Sequence, residues 1–184
     1  WYVCANETGY LAGGWFTIDG ADYQFGPSGY MMTGFLKRPS GEWVYADASG
    51  TLLSGWIRDG GSWYYLGDSG DMHTGWVTVD GLWYYLSSSG AMHTGWLQQG
   101  GSWYYLSTDS GAMVTGWVQL GASWYYLQPS GAMATGWLNL GGTYYYLNAS
   151  GAMKTGWLDL GGTWYYLRRS GSTRYRPGPA IRSS

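Results

Sequence analysis

The sequence predicts an all-β fold, a solenoid of about eight stacked β-hairpins. The first observation behind this prediction is a repeat in which tryptophan returns every 20 or 21 residues, as at Trp76, Trp96 and Trp117. The second is that every tryptophan except Trp1 lies at one of two positions of that repeat. The third is that each unit carries short glycine-bearing segments between aromatic runs. A regular period of this length is typical of repeat architectures, in which each unit contacts mainly its neighbours.

Each repeat unit contains two segments that favour β-strand. In one unit these are Trp76-Val77-Thr78-Val79 and Trp83-Tyr84-Tyr85-Leu86, whose aromatic and β-branched residues suit a pleated surface. The short link Asp80-Gly81 between them indicates a β-hairpin. Because an isolated hairpin is at best marginally stable in water, we expect successive hairpins to pack against one another.

The loop between hairpins has its own glycine pattern. A Ser-Gly pair occurs once per unit, as at Ser89-Gly90, and its glycine is expected to take a positive φ. A second glycine precedes most first-strand aromatics, as Gly75 precedes Trp76, which predicts a close approach of backbone or ligand.

We divide the chain into three parts. Residues 1–53 hold degenerate repeats and are interpreted as an N-terminal cap, residues 54–171 hold the regular array, and residues 172–184 form a basic, proline-containing tail that we expect to be disordered. The cationic tail either contacts an anionic polymer or is simply solvated. Because the chain begins at Trp1 and not at Met, we expect it to be a fragment of a longer protein.

Composition argues against several functions. A net charge of −2, with 11% charged residues, provides no basic field for nucleic acid. No apolar run approaches 18 residues, so no transmembrane segment is predicted. Metal-ligand, phosphate-loop and nucleophile motifs are missing, and His73 and His93 share a loop position that holds Val114 in a later unit. We therefore predict no catalysis, cofactor or metal; the single cysteine, Cys4, is either a free thiol or a cross-link between chains.

The aromatic positions predict a cage for a ligand. Trp76 and Trp83 are seven residues apart, so we expect them directly opposite each other on one hairpin face, with Tyr85 on the same face. The middle tyrosine of the next hairpin, Tyr104, would close a third wall, with Met92 beside it. The sequence leaves open whether the middle or the last aromatic of Trp-Tyr-Tyr forms that wall. Several ring faces and a thioether suit a quaternary ammonium ion, which has no N–H to donate.

The units resemble the choline-binding, or cell-wall-binding, repeats of pneumococcal surface proteins, autolysins and phage lysins. The shared pattern is Gly-Trp, a short turn, Trp-Tyr-Tyr-Leu, a small loop and Gly-x-Met-x-Thr-Gly-Trp; residues 54–167 match it almost without gaps and residues 13–53 match it loosely. The resemblance implies a left-handed superhelix of hairpins with choline held between successive hairpins. It also implies a noncatalytic, extracellular module that binds choline or phosphocholine of teichoic or lipoteichoic acid in the wall of a Gram-positive bacterium, whether encoded by the bacterium or its phage.

Carried over position by position, the resemblance implies five choline sites, each made of two aromatics of one hairpin, a methionine and a tyrosine. They are Trp56, Trp63, Met72 and Tyr84; Trp76, Trp83, Met92 and Tyr104; Trp96, Trp103, Met113 and Tyr125; Trp117, Trp124, Met133 and Tyr145; and Trp137, Tyr144, Met153 and Tyr165.

The ends of the array depart from this pattern. Phe35, Trp43 and Tyr64 are expected to form a weaker site because Leu52 replaces methionine, and Trp15 and Tyr23 are expected to form none. Trp157 and Trp164 lack a following hairpin, so we expect a homodimer through the C-terminal hairpin.

Two other functions remain as alternatives. A glucan-binding repeat module would also use aromatic platforms, although sugar hydroxyls need polar partners at fixed positions. Here the corresponding polar residue varies from unit to unit, as Thr78, Gln98 and Gln119 illustrate. A purely structural array would use all of the aromatics for packing.

Overall fold

The computed structural model describes residues 13–173, and this part of the chain contains β-strands and no helix. The strands are β1 Gly14–Ile18, β2 Ala21–Phe25, β3 Gly34–Lys37, β4 Trp43–Ala46, β5 Gly55–Asp59, β6 Ser62–Leu66, β7 Gly75–Val79, β8 Leu82–Leu86, β9 Gly95–Gln99, β10 Ser102–Leu106, β11 Gly116–Leu120, β12 Ser123–Leu127, β13 Gly136–Leu140, β14 Thr143–Leu147, β15 Gly156–Leu160, β16 Thr163–Leu167 and β17 Ser172–Thr173. Cys4 and the arginines from Arg174 onward lie outside the described residues.

The chain forms two compact units, Trp1–His93 and Thr94–Ser184. The first contains β1 to β8 and the second contains β9 to β17. The boundaries that the sequence predicts for a cap, an array and a tail are not tested by this division and stay predictions.

The predicted hairpins are confirmed. From β1 to β16, each odd-numbered strand pairs in antiparallel orientation with the even-numbered strand that follows it. Val79 pairs with Leu82, which leaves Asp80-Gly81 as a two-residue turn. Both turn residues have positive φ, 51° and 77°. This is the type I′ turn whose twist matches that of the strands it joins.

The register corrects one detail of the predicted cage. Trp76 pairs with Tyr85, and Thr78 pairs with Trp83, so the two tryptophans are diagonal neighbours and not directly opposite. The difference arises because the turn is centred between Asp80 and Gly81, one residue later than a direct pairing of the tryptophans requires. The two tryptophans still share a face, since alternate residues of a strand point to the same side.

The core is built from the leucine that ends the second strand of each regular hairpin. These side chains are completely buried. They are Leu66, Leu86, Leu106, Leu127, Leu147 and Leu167. Each of these side chains stabilises the fold by about 1.5–3 kcal/mol relative to an exposed one. Leu127 is representative: it pairs with Gly116 on β11 and forms a further bridge to Met133 in the following loop.

Backbone hydrogen bonds attach each loop to two hairpins. The Met133 amide donates to the Trp103 carbonyl of the preceding hairpin at 2.7 Å, while the Ala134 amide donates to the Tyr126 carbonyl of its own hairpin at 2.8 Å. The same bond to the preceding hairpin joins Met153 to Trp124 at 2.7 Å. These bonds set the spacing between neighbouring hairpins of a unit.

The last strand is a truncated version of this arrangement. Ser172 and Thr173, which lie in the predicted tail, form β17 and pair with Tyr145 and Tyr144 of β14. Thr173 occupies the position in the repeat that Met153 holds one unit earlier. Backbone pairing needs no methionine side chain, which explains why the strand continues where the sequence motif stops.

In five loops the Ser-Gly glycine lies against the methionine of the loop before it; these glycines are Gly50, Gly90, Gly131, Gly151 and Gly171. Gly151 has a φ of 81°, and a Cβ at this position would collide with the Met133 thioether. The position therefore requires glycine for two separate reasons, its backbone conformation and its close contact.

We predict that Gly151→Ala destabilises the second unit more than Gly141→Ala does. Both glycines have positive φ, which costs an alanine about 1–2 kcal/mol, but a Cβ at Gly141 meets no atom within 4 Å. The collision at Gly151 should remove about 1–3 kcal/mol more of the free energy of unfolding. Urea denaturation of both variants measures the difference, and equal losses would contradict the packing of Met133 on Gly151.

Candidate ligand-binding site

A cavity of about 440 Å³ lies between two successive hairpins of the second unit. Its walls combine rings from β11, β12 and β14 with side chains from the two loops that follow β14 and β16. The lining residues are Trp117, Trp124, Tyr145, Met153, Arg169 and Ser170.

Three aromatic rings of this cavity lie at steep angles to one another. The Trp117 and Trp124 ring centroids are 6.5 Å apart with an interplanar angle of 79°. The Trp117 and Tyr145 centroids are 4.9 Å apart at 63°. Trp124 retains 39% of its surface exposed to solvent, so its ring is available to a ligand.

The middle tyrosine of Trp-Tyr-Tyr forms the wall contributed by the following hairpin. Tyr145 pairs with Leu138, whereas its neighbour Tyr146 pairs with Trp137 and lies 5.2 Å from that ring. Strand alternation therefore directs Tyr146 to the tryptophan of its own hairpin and Tyr145 to that of the preceding one. Of the two choices that the sequence leaves open, the structure has the middle aromatic against Trp117.

The methionine beside these rings is Met153 and not Met133, which the sequence predicts for this group. Met153 lines the cavity, whereas Met133 is bonded through its amide to Trp103 of the hairpin before. The reason is the hydrogen bond from the Met153 amide to the Trp124 carbonyl, which returns each loop to the hairpin before its own.

The same geometry recurs at two other regular sites. Trp56 lies 6.5 Å from Trp63 and 4.9 Å from Tyr84, and the Met92 amide donates to the Trp63 carbonyl. In the second unit, Trp96 lies 6.3 Å from Trp103 and 5.0 Å from Tyr125, and the Met133 amide bonds to Trp103. The methionines predicted for these two groups, Met72 and Met113, pack on glycines of the next loop, as Met153 packs on Gly171. These glycines are Gly90 and Gly131.

The group at the end of the second unit lacks a methionine at the equivalent position. Trp137 lies 5.0 Å from Tyr165, and the Asn139 amide is 3.5 Å from the Tyr144 hydroxyl. Thr173 pairs with Tyr144 where the other groups have methionine.

The predicted group of Trp76, Trp83, Met92 and Tyr104 draws residues from both units and stays a prediction. Within the first unit, the Trp76 and Trp83 ring centroids are 6.3 Å apart, and Trp83 is 47% exposed.

The loosely matching repeat at Phe35 has a more complete set of contacts than the sequence suggests. Phe35 lies 4.7 Å from Tyr64, and the Met72 amide donates to the Trp43 carbonyl at 2.7 Å. The backbone of a methionine is therefore bonded to Trp43 in this repeat, although Leu52 replaces methionine in the loop directly after the hairpin. Leu52 itself packs against the buried core of the first unit.

Cations of the chain itself lie over two tryptophans of the first unit. The Lys37 ammonium is 5.8 Å from the Trp43 ring centroid, and the Arg58 guanidinium is 6.0 Å from that of Trp63. Both cations are paired across the hairpin with the tryptophan they cover. The residues at the same position in the second unit are neutral in three hairpins, namely Gln98, Gln119 and Asn139. Sequence inspection missed this feature, although a cation at that position was a usable signal.

One tyrosine links neighbouring hairpins of the first unit by a polar contact. The Tyr45 hydroxyl donates to the Asp59 carboxylate at 2.9 Å. This hydrogen bond favours the protonated phenol and raises the pKa of Tyr45 above its usual range. The contact fixes Tyr45, whose ring lies 5.0 Å from Phe35, at the edge of the aromatic group.

Among residues 13–173, no group of three or more His, Cys, Asp or Glu side chains is arranged to hold a metal ion. His73 lies 5.5 Å from the Tyr65 ring, and His93 lies 6.4 Å from the Tyr85 ring, so both pack on the last tyrosine of their own hairpin. None of the described segments forms a helix that could cross a membrane.

Comparison with protein families gives two matches. A model described as a choline-binding repeat matches residues 53–86, 73–116 and 114–156, which together cover more than half of the chain. A model described as a putative cell wall binding repeat matches residues 155–172. The comparison with curated proteins gave no match.

Solved structures of Streptococcus pneumoniae proteins have a similar fold. CbpJ from strain TIGR4 is 48% identical, with a TM-score of 0.79 over 83% of this chain and 56% of that one. Choline binding protein F is 45% identical, with a TM-score of 0.78 over 82% of this chain and 54% of that one. The choline-binding domain of CbpL is 30% identical, with a TM-score of 0.64 over 88% of this chain and 86% of that one. The chain thus spans just over half the length of the first two proteins.

Proposed function

The chain belongs to the choline-binding repeat family, and from this premise we propose that it is a noncatalytic module that binds choline in aromatic cages between successive hairpins. The observation that carries the proposal is the cavity formed by Trp117, Trp124, Tyr145 and Met153. A quaternary ammonium ion has no N–H group and needs no hydrogen-bond acceptor. It gains instead from the negative faces of the rings and from a polarisable thioether.

The distribution of burial supports binding over a purely structural role. The core of each regular hairpin is the fully buried leucine, while the second tryptophan stays 39–47% exposed at positions 63, 83, 103 and 124. Large aromatic side chains that only stabilised the fold would be expected deeper in the core. The regular exposure of the indoles suits repeated contact with a ligand.

The physiological ligand that we propose is the phosphocholine of teichoic or lipoteichoic acid on a Gram-positive cell wall. Each aromatic ring contributes on the order of 0.5–2 kcal/mol to the binding free energy of a cation, so a site of three rings is weak. Several sites that engage one polymer raise the effective concentration, and the avidity can exceed a single affinity by roughly 10²- to 10⁴-fold. Such a module would retain a secreted protein at the wall without anchoring it in a membrane.

A glucan is a less suitable ligand for these cages. Sugar hydroxyls require hydrogen-bonding groups at constant positions, because an unmatched buried polar group is costly. The residue opposite the second aromatic of the hairpin changes along the array from Arg58 to Thr78, Gln98, Gln119 and Asn139.

We predict that the protein is retained on a quaternary-amine resin and is eluted by free choline. Trp124→Ala should remove one site from the choline stoichiometry measured by calorimetry, because it deletes a wall of the cage. Trp124→Phe is the matched control, since it keeps an aromatic face and should weaken this site without abolishing it.

Retention on a glucan column with no elution by choline would favour the carbohydrate function. An unchanged choline stoichiometry in Trp124→Ala would contradict the assignment of this cage.

We further propose that the C-terminal hairpin forms a homodimer when choline is bound. Trp157, Trp164 and Tyr166 are 63%, 61% and 57% exposed, well above the corresponding residues of earlier hairpins. In this dimer, the hairpin of the second copy supplies Trp157 with a tyrosine, as the following hairpin supplies Tyr145 to Trp117 and Tyr165 to Trp137. Exposed apolar patches of this kind commonly mark interaction sites.

Light scattering with and without choline should therefore detect a dimer that Trp164→Glu abolishes. Leu82→Glu is the control, because Leu82 is 50% exposed but lies in the first unit. A monomeric mass for the unmodified chain under both conditions would exclude the dimer and leave choline binding intact.

A further inference from the structure

The cavity at Trp117 and Trp124 contains a cation that is supplied by the loop after β16. Arg169 and Ser170 complete its lining. Backbone hydrogen bonds hold the loop that carries them. The Arg168 amide donates to the Ser172 carbonyl at 3.0 Å, and the Gly171 amide donates to the Arg168 carbonyl at 2.7 Å. The Ser170 and Ser172 hydroxyls are also 2.8 Å apart. Arg169 therefore stands at the rim of the cage on a defined turn.

This charge is special to one repeat. The residue that precedes Ser-Gly is Asp68, Ser88, Asp109, Pro129 or Ala149 in the other regular loops, and only Arg169 is cationic. Within residues 13–173, no carboxylate forms an ion pair with Arg169. A free guanidinium beside a cage for cations would repel a ligand that carried only a positive charge.

We infer that Arg169 binds the phosphate of phosphocholine while the quaternary ammonium of the same molecule occupies the rings of Trp117, Trp124 and Tyr145. The inference rests on the proposed function, which it extends from choline to its anionic substituent. Guanidinium is well suited to phosphate because its planar N–H groups can donate two parallel hydrogen bonds. The two charges of the zwitterion are separated by a two-carbon link, so a cationic rim and an aromatic cage can be engaged together.

The consequence is that this cage discriminates between ligands that the other cages treat alike. Arg169 attracts phosphocholine and repels choline, so its removal should affect the two ligands in opposite directions. The group of Trp96, Trp103 and Tyr125 is the natural comparison, because Ala149 takes the place of Arg169 in its repeat. That group should not prefer phosphocholine.

The test is a titration of the full chain, labelled with ¹⁵N in its tryptophan indoles, with choline and with phosphocholine. The signals of Trp124 and Trp103 report the two cages and are assigned with Trp124→Phe and Trp103→Phe. At Trp124, Arg169→Gln should raise the Kd for phosphocholine about two- to five-fold, the range of an exposed ion pair, and lower the Kd for choline. Arg168→Gln is the matched control, because Arg168 belongs to the same turn but does not line the cavity, and it should change neither Kd.

A second variant tests whether an arginine at this position is sufficient to create a preference for phosphocholine. Ala149→Arg should introduce a phosphocholine preference of similar size at Trp103, and added salt should reduce the preference at both sites.

Three outcomes distinguish the claims. An equal ratio of the two Kd values at Trp124 in the unmodified chain and in Arg169→Gln would overturn the role of Arg169, while choline-dependent shifts would uphold the proposed function. A rise in both Kd values in Arg169→Gln would also overturn it, because loss of packing does not depend on ligand charge. If choline and phosphocholine shift no indole signal of the unmodified chain, both the proposed function and the phosphate site fail.

Discussion

The hydrogen bond from a loop methionine amide to the tryptophan carbonyl of the preceding hairpin determines most of the architecture. In the second unit it joins Met133 to Trp103 and Met153 to Trp124, each at 2.7 Å. A single hairpin is marginally stable alone, so it must pack on a neighbour at a set distance. This bond sets that distance, brings the middle tyrosine of one hairpin against the first tryptophan of the previous one, and directs a methionine into the cavity between them.

The spacing between hairpins determines which side chains form the core and which stay exposed. A leucine at the end of each regular hairpin provides the buried core, and glycines with positive φ allow the loops to turn tightly around methionine. The second tryptophan of each regular hairpin is therefore not needed in the core, and it stays half-exposed at positions 63, 83, 103 and 124. Charge then differentiates the sites, since Lys37 and Arg58 cover tryptophans in the first unit, whereas Arg169 stands at the rim of a cage in the second.

Local sequence patterns are sufficient to predict the hairpins, but they do not predict the contacts between neighbouring hairpins. Asp80-Gly81 and the alternation of Trp83-Tyr84-Tyr85-Leu86 predict a hairpin and its two faces, and both are present. The prediction that Trp76 and Trp83 lie directly opposite each other was wrong, because the turn is centred one residue later than that pairing requires. Composition alone does not reveal the position of the turn centre. The placement of Met153 beside Trp124 depends on how a loop folds back, and no residue in the loop encodes that direction by its type. Likewise, β17 at Ser172 and Thr173 depends on backbone pairing, which leaves no hydrophobic signature.

A crystal structure of the protein with bound choline is the most direct test that cages form between successive hairpins. The account predicts electron density for the trimethylammonium group between Trp117, Trp124 and Tyr145, in contact with the Met153 side chain. Choline density only away from these rings, with the space between Trp117, Trp124 and Tyr145 empty, would contradict it.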